Sequence, residues 1–143
     1  MRSEATLDHL DAKAAIDAIC AELDRRGKAA VAAVVDAHGE TLAVIRYSGT
    51  MLSSIAVATN KAYTAARLRR PSVMVGKRIR DPEHGFDIAY YGDARYVGWG
   101  GGIPVEIDGQ FVGAVGVSGL PEAEDIELAE IGVRAIGARA KAS

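Results

Sequence analysis

The chain has 143 residues, 49% hydrophobic and 25% charged, with a formal net charge of −2 and one cysteine. That length can bury a core without staples and predicts one domain over residues 1–143. The acidic balance excludes a general nucleic-acid surface, and a lone thiol excludes both an internal disulfide and a thiolate zinc site.

No segment approaches bilayer length, and the N-terminal stretch carries acids where a signal peptide would be apolar. The sequence therefore predicts a cytoplasmic protein with no membrane partner. Residues 6–26 predict a helix, with Thr6 as its cap, Asp8 near its positive end and Gly27 as its stop. Leu7, Leu10, Ala14, Ala18 and Leu23 recur at helical spacing. Cys20 lies in this run and reads as a small buried hydrophobe rather than a nucleophile.

Residues 30–36 are small and β-branched, which predicts a buried strand. A turn containing Gly39 comes next, and 41–47 returns as a second strand. Residues 51–69 predict a long helix. Its face (Met51, Ile55, Ala58, Ala62, Ala65, Leu68) is mostly alanine, so it can lie close to a sheet, and Pro71 ends it. SVMVGKRIRD predicts a short helix from residue 72. Pro82, Gly85 and Gly92 interrupt the next segment, so 81–99 is mostly loop. Residues 103–108 and 111–117 form a second hairpin around Asp108-Gly109. Pro121 opens a last helix running to about Arg139, with acids in its first turn and bases near its end. Two hairpins separated by a helix exclude an alternating parallel fold. An antiparallel sheet with helices packed on it, an α/β fold of the α+β kind, is the solution.

Four segments carry a resemblance: VVDAHGETLAVIR, NKAYTA, GGIPVEIDGQFVGAVGVSG and the acidic AEDIELA helix. Taken in order they resemble the GlcG/HbpS-like family over nearly the whole chain, with 101–119 the most specific part. The resemblance implies a profilin-like or PAS-like sandwich whose antiparallel sheet has about five strands. It implies a homo-oligomer, from dimer to octamer, that binds a small ligand: haem or another tetrapyrrole, and otherwise no cofactor. Several members bind haem, and related domains are attached to corrinoid-handling proteins. The resemblance also places Asp36, Arg46 and Lys61 at the family's charged motif positions.

The residues themselves leave several readings open. Gly100, Gly101 and Gly102 either turn the chain into a strand or let a flat ligand approach the backbone. Four of the eight aromatic residues fall between positions 90 and 99. Tyr91, Tyr96 and Trp99 therefore join the glycines as candidate ligand contacts. Of the three histidines, His84 is the candidate haem-iron ligand, because its loop leads to this segment. The basic run Arg67–Arg80 reads as a solvated or subunit-facing surface, or as a partner for ligand carboxylates. GVSGLPEAED reads as a turn and cap, since its acids would repel a phosphate.

A second reading is an enzyme without a cofactor, acting by proton transfer on a small carboxylate or carbonyl compound. Arg46 would hold the carboxylate, and Lys61, Asp36 or His84 would move the proton. A structural Lys61–Asp36 ion pair competes with that role, and Asp36, ending a buried strand before a turn, also reads as a residue that hydrogen-bonds its own backbone. The third reading is a structural or regulatory oligomer with the Tyr90–Trp99 aromatics buried between subunits. A wide apolar slot favours haem; a polar pocket containing Arg46 or Lys61 favours the enzyme.

Overall fold

Asp8, not Thr6, starts the first helix. The Asp8 carboxylate accepts hydrogen bonds from the backbone N–H of Leu10 and Asp11, and the Asp11 side chain accepts from the Asp8 N–H. This reciprocal box satisfies donors that a helix start leaves orphaned. Thr6 stays outside, and its hydroxyl accepts instead from the Ala37 N–H at 3.0 Å. A computed structural model describes all 143 residues. The first helix, α1, spans His9–Arg26 and ends on Gly27 at φ 63.

Strands β1 (Val31–Asp36) and β2 (Thr41–Arg46) form the first hairpin. Helix α2 (Ser53–Leu68) and the short α3 (Ser72–Ile79) come next. The loop after α3 holds a single 3-10 turn, Ile88–Tyr91. Strands β3 (Gly102–Ile107) and β4 (Gln110–Ser118) form the second hairpin, and α4 (Glu122–Ala142) closes the chain.

The sheet has four strands in the order β2-β1-β4-β3, all neighbours antiparallel. The expectation of about five strands is corrected to four. The N-terminal segment makes a single bond to the sheet, Leu7 N–H to Val112 O, and builds no ladder. The 81–99 loop is broken by Pro82 and its glycines.

Both faces of the sheet are covered, which is why β1 reads as an unbroken apolar run. Ala32 and Val34 join Val115 and Val117 in a core under α1 and α4. Val31, Ala33 and Val35 face the other way, onto Ala58, Ala62 and Ala65 of α2. The alanine face brings α2 so close that the strands beneath must be glycine. A Cβ on Gly116 would lie 2.2 Å from the Ala58 carbonyl, and one on Gly102 would lie 2.1 Å from the Lys61 carbonyl.

The register gives the sheet two distinct ends. At one, Arg46, Val31 and Ser118 stand abreast. The helices α2 and α4 also begin there. At the other lie both hairpin turns and the C-terminus of α2.

Candidate functional site

At the strand-terminus end, the alanine-rich face of α2 carries one charge inward. The Lys61 ammonium donates to the Val117 carbonyl at 2.9 Å and to the Asp125 carboxylate at 3.0 Å. Both side chains are almost wholly buried, at 4% and 3% exposure. Asp125 also accepts from the Leu120 N–H. Burial pushes its carboxyl above the usual value, against the opposing pull of Lys61. Gly101 makes room for the pair, since a Cβ there would lie 3.0 Å from the Lys61 ammonium and 2.5 Å from the Val117 carbonyl. The Glu122 carboxylate accepts from the Gly100 N–H at 2.8 Å. The glycine run is thus consumed in packing the strand entry onto α2 and α4. A cavity of about 400 Å³ opens beside the ion pair, with Met51, Trp99, Ser54 and Ser118 also on its wall.

At the hairpin end lies the largest cavity, about 740 Å³, between the N-terminal segment, both turns and the end of α2. Its wall includes His38, Arg2, Arg69 and Phe111. Arg69 ends α2 in the left-handed conformation at φ 55, and its guanidinium stands 5.8 Å from the Phe111 ring centre. The His38 Nε2 lies 3.6 Å from a Glu4 carboxylate oxygen. The wall brings together one imidazole, two guanidiniums, one aromatic ring and the Glu4 carboxylate, which pairs with Arg2; it is mostly polar and is not a wide apolar slot.

The candidates named from the sequence are scattered over the molecule. Asp36 does not pair with Lys61. Its carboxylate accepts from the His38 and Glu40 N–H groups of its own turn, at the opposite end of the sheet. An Asx turn is the stronger local demand on that side chain. Arg46 is exposed at the end of the edge strand β2 and is absent from the Lys61 cavity. His84 is 85% exposed beside Glu83 and lines neither the Lys61 cavity nor the hairpin-end groove. Trp99 and Gly100 line the Lys61 cavity, and Gly101 and Gly102 are buried against α2.

Tyr91 and Tyr96 belong to an aromatic row that pins the loop onto α2. Ring centres are 5.2 Å apart for Tyr63–Tyr96, 4.9 Å for Tyr91–Tyr96 and 5.7 Å for Phe86–Tyr91. The buried Tyr63 hydroxyl donates to Asp93. Burial first, and that bond second, push the phenol up to about 12. Arg95 in turn holds the Asp93 carboxyl well below the usual carboxylate range.

Sequence reasoning missed Asp125, Ser54 and His38 as wall residues. Helix phase carried the signal for Asp125. It stands in register with the buried Leu128, Ala129, Gly132 and Ile136 along α4, whereas Glu122 and Glu124 do not point into the core.

The family model described as "Haem degrading protein HbpS-like" matches residues 7–134. The chain belongs to the HbpS-like family. A 15.0 kDa protein from the dhaT-dhaS intergenic region of Citrobacter freundii is 36% identical over 100 residues, 70% of each chain. The crystal structure of Klebsiella pneumoniae ORFY superposes with a TM-score of 0.91 at 27% identity, covering 96% of this chain and 95% of that one. The PduOC–haem complex shares the HbpS-like fold, with a TM-score of 0.84 at 23% identity over 92% of this chain and 95% of that one. No helix is long and apolar enough to cross a membrane, and no three His, Cys, Asp or Glu side chains cluster as a metal site.

Proposed function

We propose that this HbpS-like chain binds a tetrapyrrole of the haem class, and does so as a homo-oligomer. The family description and the haem complex of a protein with the same fold support the ligand class. The observation that carries the reading is the 740 Å³ groove at the hairpin end, which gathers His38, Arg2, Arg69 and Phe111. His38 would hold the iron. Nε2 lies 3.6 Å from the Glu4 carboxylate, and either ring nitrogen of a neutral imidazole could serve as the ligand. Arg69 would hold a propionate, since guanidinium pairs with carboxylate in a fixed fork, and Arg2 would do so only by leaving its Glu4 partner. When bound, haem would supply a redox-active iron. Exposed Met51 and Leu52, at 75% and 68%, support the oligomeric part of the reading.

The test is an absorption titration of the apo protein with hemin, run beside His38→Ala, His84→Ala and Arg69→Ala. The expected result is a saturable Soret band at one per chain, lost or shifted in His38→Ala and weakened in Arg69→Ala. His84→Ala should match the wild type. A featureless titration overturns the ligand class. Loss in His84→Ala alone would return the site to the 81–99 loop.

A further inference from the structure

The Lys61 cavity has no part in that reading, yet it holds the chain's one ion pair with both side chains below 5% exposure. A buried pair is weak evidence for stability, because desolvation offsets most of the attraction. Its surroundings point elsewhere. An ammonium carries three N–H donors, and Lys61 spends two of them on Val117 and Asp125. The third has no partner in the chain. Ser54 and Ser118 are buried to 8% and 7% exposure, and neither hydroxyl makes a hydrogen bond within the protein. Every fully enclosed polar side-chain atom does have a partner. These two oxygens therefore reach the cavity that both serines line. Three polar groups on one wall thus lack partners, beside the exposed ring of Trp99 and the thioether of Met51.

We propose that this cavity is a second binding site, for a neutral small molecule bearing a carbonyl oxygen. The free Lys61 N–H and the Ser54 and Ser118 hydroxyls meet the oxygen, and Trp99 and Met51 cover the carbon skeleton. Charge decides against a carboxylate. The wall carries one ammonium and two carboxylates, Asp125 and Glu122, so an anion meets a net negative surface. Arg46, the cation that would have held a carboxylate, is elsewhere. A ligand with apolar bulk and one or two oxygens matches a pocket of this size and lining.

Trp99 is the only tryptophan, so its indole N–H gives one resonance in an amide correlation spectrum and reports on this cavity alone. The apo protein is titrated with hydroxyacetone, cyclohexanone and acetophenone, and with lactate and benzoate as anions of similar size. The expected result is a saturable shift of the Trp99 resonance with at least one neutral compound, and weaker or no response to the anions. Each lost hydroxyl contact is expected to weaken binding about fivefold, so Ser54→Ala/Ser118→Ala should weaken it on the order of twentyfold. Both substitutions are small and leave the ion pair intact. Linear shifts without saturation for every neutral compound overturn the proposal. So does equal affinity in the double variant, and so does a preference for the anions.

Discussion

Removing one charge of the Lys61–Asp125 pair should cost more than removing both. Asp125→Asn leaves a buried ammonium against neutral oxygens, a loss on the order of 3–5 kcal/mol in unfolding free energy. Lys61→Met/Asp125→Leu replaces the pair by apolar groups of similar volume and should recover most of that loss. Chemical denaturation of the three proteins measures it, and a double variant less stable than Asp125→Asn would contradict the argument. Tyr63 makes a separate prediction at high pH. Its phenol is raised from 10 to about 12 in the fold, so the folded state favours the protonated form. The associated stability is present in full below pH 10 and is lost as pH rises through about 12. The melting temperature of the wild type should fall across that window, and that of Tyr63→Phe should fall less.

Along the elements, the closeness of α2 to the sheet is the constraint most open to test. Gly116→Ala would place a methyl 2.2 Å from the Ala58 carbonyl, a backbone atom that cannot swing aside. It should destabilise by about 3 kcal/mol or more, as overpacking does when no rotamer can relax it. Gly137, inside α4, has nothing within 4 Å of an added Cβ. Gly137→Ala should stabilise by about 0.5–1 kcal/mol through helix propensity alone. Thermal melts of the two variants should move in opposite directions. The same closeness explains what the sequence made legible. The alanine spacing of 51–69 and the β-branched run of 30–36 are local patterns, and both elements form within two residues of their expected ends. The first cap was harder to place because Thr6 and Asp8 are both good caps, and only Asp8 has Asp11 three residues on to complete the box. The site was less legible. Lys61 and Asp125 are 64 residues apart, so no spacing rule joins them. For Asp36 the sequence offers both an ion pair with Lys61 and an Asx turn with its own backbone, and the turn, two residues away, takes the carboxylate.

At the scale of the whole molecule, the two cavities sit at opposite ends of one sheet, and exposed Met51, Leu52 and Trp99 gather at the Lys61 end. Met51 and Trp99 share the Lys61 cavity, and Leu52 stands next to Met51 at the start of α2. If copies of the chain associate through this end, Leu52→Glu should split the assembly. It should leave the fold intact, because Leu52 is 68% exposed and contributes little to the core. Light scattering behind a sizing column gives the mass, and a thermal melt checks the fold. A lower mass at an unchanged melting temperature is the expected outcome. An unchanged mass would move the interface to another surface, and a monomeric wild type would remove it altogether. Hemin then separates the two ends. The groove at His38 lies beyond the far edge of the core from Leu52, so the split protein should still take up one hemin per chain. Uptake lost together with the assembly would mean that the tetrapyrrole is held between subunits and not in the hairpin groove.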